Sequence, residues 1–248
     1  MKLGMHCLIV LSFIFIGIYF GQTMKNTQQT YIFVHGMTGG GWDWKQVDDL
    51  LSSDGHRVYR PTLTGLGEKM HLSHPDIDLT THILDIVNLI RFEQLEDIIL
   101  VGHSYGGMVI TGVMNTVPDK IQQVFFLDAT VPDHNMSAVD TNQYYGNFIT
   151  KNGLVYPAWL EDHKDIPRDV PHPAKTLTEK VAFDNNQAQQ LPATYIRFTP
   201  NHLVDYEKAN NLSWQRAEQR GWTIKTLDSD HNAQRSNPEA LKKLLTSF

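Results

Sequence analysis

Residues 100–108 read LVGHSYGGM, an apolar run that ends in a serine held between glycines. Gly102-His103-Ser104-Tyr105-Gly106 fits G-x-S-x-G, a pattern that carries chemistry when a strand precedes it and a helix follows. Ile98–Val101 (IILV) reads as a strand buried on both faces, and the stretch from Tyr105 to Thr116 reads as a helix. A turn that sharp forces Ser104 into a strained backbone, and side chains at 102 and 106 would collide with neighbouring elements. The hydroxyl is thereby lifted clear of the sheet, at a helix N-terminus whose dipole favours developing negative charge.

Outward from this turn the chain alternates. Tyr31–Val34 (YIFV) is a short buried strand that runs into the glycine-rich HGMTGGGW. Asp43 is placed to cap a helix, with Gln46 beyond it and Val47, Leu50 and Leu51 on one face. Arg57–Arg60 reads as a strand closed by Pro61. Asp78 can cap a second helix whose Leu79, Ile83, Ile86, Val87 and Ile90 form an apolar face. Further strands are read at Val124–Leu127, Thr194–Phe198 and Trp222–Thr226, and a last helix runs from about Pro238 to Thr246. Strand and helix in regular succession predict an α/β fold: a mostly parallel central sheet with helices on both faces. From about 131 to 190 no strand stands out. Prolines and the aromatics Tyr144, Tyr145, Phe148, Tyr156 and Trp159 predict a cap inserted over one end of the sheet, within a single domain spanning 25–248.

The chain has 248 residues, 41% of them apolar and 19% charged, which suits a globular protein with a sizeable core. A net charge of −6 and the absence of any Lys/Arg run argue against a nucleic acid or an anionic membrane surface as partner. Cys7 is the single cysteine, so no disulfide forms within the chain. Lys2 followed by the uninterrupted apolar Leu8–Phe20 marks residues 1–24 as a signal peptide or an N-terminal membrane anchor. Residues 19–24 (YFGQTM) offer no small-x-small cleavage site, which keeps the anchor open. Export, to the periplasm or the medium, is the expectation.

A serine hydroxyl needs a base beside it to act as a nucleophile. In this architecture the chain order runs serine, acid, histidine. Of the twelve histidines, His202 and His231 alone lie beyond the cap, and His231 directly follows the last strand. An oxyanion hole requires two backbone N–H groups: that of Tyr105 after the serine, and that of Met37 in the loop His35-Gly36-Met37. His35 and Gly39, Gly40 and Gly41 are read as shaping that loop. Two acids compete. Asp128 follows the strand VFFL immediately, on the edge that carries Ser104; Asp205 lies beyond TYIRF, at the end of a loop. Asp230 adjoins His231 and would have to fold back on it. Position favours Asp128, with Asp205 left open. His71 and His74 have no carboxylate at ligand spacing, so no metal is expected.

These stretches together carry a resemblance. FVHGMTGGGWDW, HRVYRPTLTGLGE, LVGHSYGGMVI, FFLDATVP and the late Asp230-His231 resemble the α/β-hydrolase superfamily. Within it they are similar to small carboxylesterases related to plant methyl-ester esterases and hydroxynitrile lyases. The similarity runs from about Tyr31 to the C-terminus and is most specific over 31–134. It implies hydrolysis of a small carboxylic ester through an acyl-enzyme, with no metal or organic cofactor. The plant members place their acid after the strand that reads TYIRF in this chain, and have a small apolar residue where this chain has Asp128. That exchange points to an acid moved one strand along. The lyases carry a lysine directly after the catalytic histidine; here Asn232 stands there, and their cation is missing. A lactonase or amidase with the same triad, or a ligand-binding receptor with a residual one, would share every residue named.

Overall fold

The computed structural model describes residues 28–160, 165–199 and 212–248. The leader segment and Asp205 lie outside the described residues.

A six-stranded sheet forms the centre. Its strands are β1 (Thr30–Val34), β2 (Arg57–Tyr59), β3 (Ile98–His103), β4 (Ile121–Leu127), β8 (Ala193–Phe198) and β9 (Thr223–Leu227), in the order β2-β1-β3-β4-β8-β9. Every pairing is parallel, with Val34 opposite Gly102 and Leu127 opposite Ile196. Parallel neighbours need crossovers, and helices supply them: α1 (Lys45–Ser53), α2 (Leu79–Phe92), α3 (Gly106–Thr116) and a helix over Ser213–Gln219 between β8 and β9, while a C-terminal helix over Pro238–Leu245 follows the last strand.

Strand side chains alternate between the sheet's faces, and the core divides accordingly. Ile32, Val34, Ile98, Leu100, Val124 and Phe126 pack with Ile86, Val87 and Ile90 of α2 and Met108, Val109 and Val113 of α3. Tyr31, Phe33, Ile99, Val101, Phe125 and Leu127 pack instead with Val47 and Leu51 of α1 and Leu241 and Leu245 near the C-terminus. Both faces are covered, which is why IILV and VFFL read as unbroken apolar runs.

Two local expectations are corrected. Asp78 does cap α2, its carboxylate accepting from the Thr81 N–H. Asp43 caps nothing. Gly41–Trp44 tighten into a 3₁₀ turn, α1 starts at Lys45, and Asp43 is buried. The cause is Trp44, drawn fully under the sheet to lie 4.7 Å from Phe33, which turns the preceding carboxylate inward. The segment between β4 and β8 also contains sheet. β5 (Ile149–Lys151), β6 (Leu154–Tyr156) and β7 (His172–Pro173) form an antiparallel three-stranded ribbon. Strands of three, three and two residues are too short to show an alternating period.

Candidate active site

Ser104, Asp128, His231 and Met37 all follow the C-terminal ends of parallel strands, the edge where open α/β sheets place ligands. At Ser104 the backbone turns left-handed, with φ of +53°. A non-glycine residue keeps that conformation only when its surroundings enforce it. Here the Ser104 N–H donates to Leu127 O at 3.2 Å, and Thr130 N–H donates to Ser104 O at 2.9 Å. The glycines permit the packing. A Cβ on Gly102 would come 2.9 Å from Gly106 O, one on Gly106 2.7 Å from Val34 O, and one on Gly107 2.1 Å from Thr130 O.

Asp128 is buried beside the turn, also at positive φ (+41°), with its N–H donating to Ile196 O at 2.8 Å. Its Oδ2 lies 2.6 Å from Nδ1 of His231, whose side chain is one-third exposed. Ser104, Met37 and His231 line one cavity of about 490 Å³. The Tyr105 side chain turns away from it. That ring is fully buried and its hydroxyl donates to His82 Nδ1 at 2.9 Å, so the backbone N–H is what Tyr105 offers at the elbow.

Several neighbours of the site carry no motif in the sequence. His103 fills the first variable position of G-x-S-x-G, and its Nε2–H donates to the His231 carbonyl at 2.6 Å while the two rings stand 4.6 Å apart. Burial drives the His103 imidazole well below its usual range, so it holds the His231 loop as a neutral donor. Tyr145 is one of the five aromatics that mark the cap in the sequence. Its phenol lies 2.9 Å from Thr130 Oγ1, and it lines the same cavity as Ser104. Tyr144 and Trp159 share the cavity wall; Tyr156 is not among its lining residues. Thr38, next to Met37, is held from the opposite side: its N–H donates to His172 Nδ1 at 3.3 Å, and Val170 N–H donates to its carbonyl at 2.9 Å. The cavity also carries a cation that no motif announced, Arg235, whose Nε lies 3.4 Å from Asp43 Oδ1. Exposed His71 and His74 lie in or beside the short 3₁₀ segment Gly67–Leu72, and His74 Nδ1 accepts from the Asp76 N–H.

Two buried histidines support the loops from beneath. His35 Nδ1–H donates to Gly36 O at 2.8 Å and its Nε2 accepts from Leu63 N–H at 3.1 Å. His82 Nε2–H donates to Thr64 O at 3.0 Å. Burial lowers both to about 4. Because the folded pKa lies below the unfolded one, stability is full above about pH 6.5 and is lost as pH falls toward 4, where the unfolded chain takes up the protons. The loss is expected to reach about 3 kcal/mol for each histidine. Urea unfolding at pH 7.5, 5.5 and 4.5 checks this; unfolding free energies that stay level across that range contradict it.

The model of the alpha/beta hydrolase family matches residues 31–244. A carbendazim hydrolyzing esterase from Nocardioides sp. is 49% identical over 107 residues, covering 43% of this chain and 44% of that esterase. The chain thus spans less than half the length of that relative. Methylesterase 10 of Arabidopsis thaliana is 28% identical over 201 residues, 75% of this chain and 70% of its own length. Among solved structures, an extracellular alpha/beta-hydrolase from a Paenibacillus species superposes with a TM-score of 0.73 at 23% identity, over 88% of this chain and 97% of that one. At that identity the likeness is one of fold.

Proposed function

We propose that this chain, which belongs to the alpha/beta hydrolase family, is a serine esterase acting on a small carboxylic ester. The contact of 2.6 Å between Asp128 and His231, on the cavity that holds a strained Ser104, is the observation that carries the proposal. Asp128 accepts the Nδ1 proton, so Nε2 is the unprotonated ring nitrogen and takes the proton from Ser104 Oγ as that oxygen attacks the carbonyl. The N–H groups of Met37 and Tyr105 receive the oxyanion. Protonated His231 returns its proton to the leaving alkoxide, and the acyl group remains on Ser104. Water, deprotonated by the same imidazole, then releases the acid and restores the serine. Asp128 holds the ring and balances its charge in both steps. The segment over 131–190 serves as the cap, and Tyr144, Tyr145 and Trp159 form the wall against which the substrate's apolar part packs.

The two enzymes similar in sequence, both named for ester cleavage, support the same chemistry. Steady-state hydrolysis of p-nitrophenyl acetate and of aryl methyl esters tests it. Multiple turnovers are expected; a single stoichiometric release of p-nitrophenol from folded protein would instead mean a receptor that acylates once. We also propose that the protein is exported, on the strength of Lys2 and the apolar Leu8–Phe20.

A further inference from the structure

The chemistry proposed above leaves part of the cavity wall unused. Asp43 is 6% exposed, and its Oδ1 has no hydrogen-bond partner among the described residues. That oxygen lies 3.4 Å from Arg235 Nε, and the Arg235 guanidinium in turn sits 5.3 Å from the centre of the Trp42 ring. The loop is shaped around the carboxylate: a Cβ on Gly39 would come 2.1 Å from Asp43 Oδ2. A second carboxylate, Asp169, lines the same cavity and accepts from Thr38 Oγ1 at 2.8 Å. Trp159 Nε1–H donates to that Thr38 oxygen at 3.1 Å, which fixes the indole beside Asp169.

Two carboxylates thus stand against one guanidinium on the wall, next to an aromatic surface. An anionic substrate would meet both carboxylates, and the guanidinium that could bind it is already engaged by Asp43 and Trp42. A flat ring bearing N–H donors would balance the excess carboxylate charge on this wall, gain charge-assisted hydrogen bonds, and lay its face on the aromatic wall. Burial raises Asp43 to about 6, with Arg235 opposing and Asp169 adding to the rise, so the carboxylate is ionised at pH 7.5.

We propose that Asp43 and Asp169 make the cavity selective for substrates whose aromatic part carries a protonated, amidine-like nitrogen pair. The selectivity deepens the esterase reading and rests on it, but the binding it requires can be measured without turnover.

The matched esters 4-amidinophenyl acetate and 4-carbamoylphenyl acetate, nearly equal in shape, differ in charge. With full-length protein at pH 7.5, kcat/KM corrected for each ester's hydroxide-catalysed rate is expected to favour the amidinium by about tenfold or more. Benzamidinium is expected to bind the Ser104→Ala protein more tightly than benzamide by a similar factor. Both preferences should fall to roughly twofold or less in Asp43→Asn and in Asp169→Asn, the second a half-buried position outside the core. Equal treatment of the two esters by an enzyme that turns both over overturns the selectivity and leaves the esterase standing. Turnover of neither ester, with benzamidinium still preferred through Asp43, overturns the esterase and supports the site. A preference untouched by both substitutions removes the carboxylates from the explanation.

Discussion

Asp128→Asn is expected to lower kcat/KM for a small ester by about 10³- to 10⁴-fold. The amide is nearly the same size, so packing at the end of β4 changes little. What changes is the imidazole. An amide NH₂ facing Nδ1 favours the tautomer whose proton is on Nε2, so His231 can no longer accept from Ser104, and the imidazolium loses its counter-charge. The fall should appear in kcat, with KM moving only a few-fold, because Asp128 touches the histidine rather than the substrate. Asp205→Asn, assayed beside it, is expected to retain near-normal activity. A large loss in Asp205→Asn with Asp128→Asn near wild type would return the acid to the strand after which the plant esterases carry it.

Ser104→Ala removes the proposed nucleophile, and a fall of about 10⁴-fold or more is expected, leaving only what the proposed oxyanion donors and the cavity supply. The same position reports strain. Alanine inherits the φ of +53°, whereas glycine adopts it freely. Ser104→Gly should therefore be as inactive as Ser104→Ala yet more stable by about 1 kcal/mol in urea unfolding. Equal stability of the two would mean that the turn relaxes once the hydroxyl is gone. An ordering of alanine above glycine would mean that the turn is not strained.

The sheet was legible because parallel strands covered on both faces must be apolar at every position, and IILV and VFFL are. The elbow was legible because its backbone demands glycine at fixed offsets: the close approaches of Gly102 to Gly106 O and of Gly106 to Val34 O are those demands. The proximity of Asp128 to His231 follows from chain position, since both lie just beyond strand ends on one edge. Other features left no periodic trace. The β5–β7 ribbon is held by tertiary packing, and strands of two and three residues cannot alternate long enough to be seen. Asp43 looked like a helix cap because a cap and a buried wall carboxylate share the same local sequence. Only the burial of Trp44 decides between them. Arg235, His103 and Tyr145 reach the site from separate elements, and their roles depend on distances that no spacing along the chain records.

The most direct test of the triad is to trap the covalent intermediate. Full-length protein treated with an alkyl fluorophosphonate, digested and mapped by mass spectrometry, should carry one label, on Ser104. The labelling rate should fall by orders of magnitude in His231→Ala. A label on another residue, or labelling of Ser104 that His231→Ala leaves unchanged, would contradict the assignment of Ser104 as a nucleophile activated by His231.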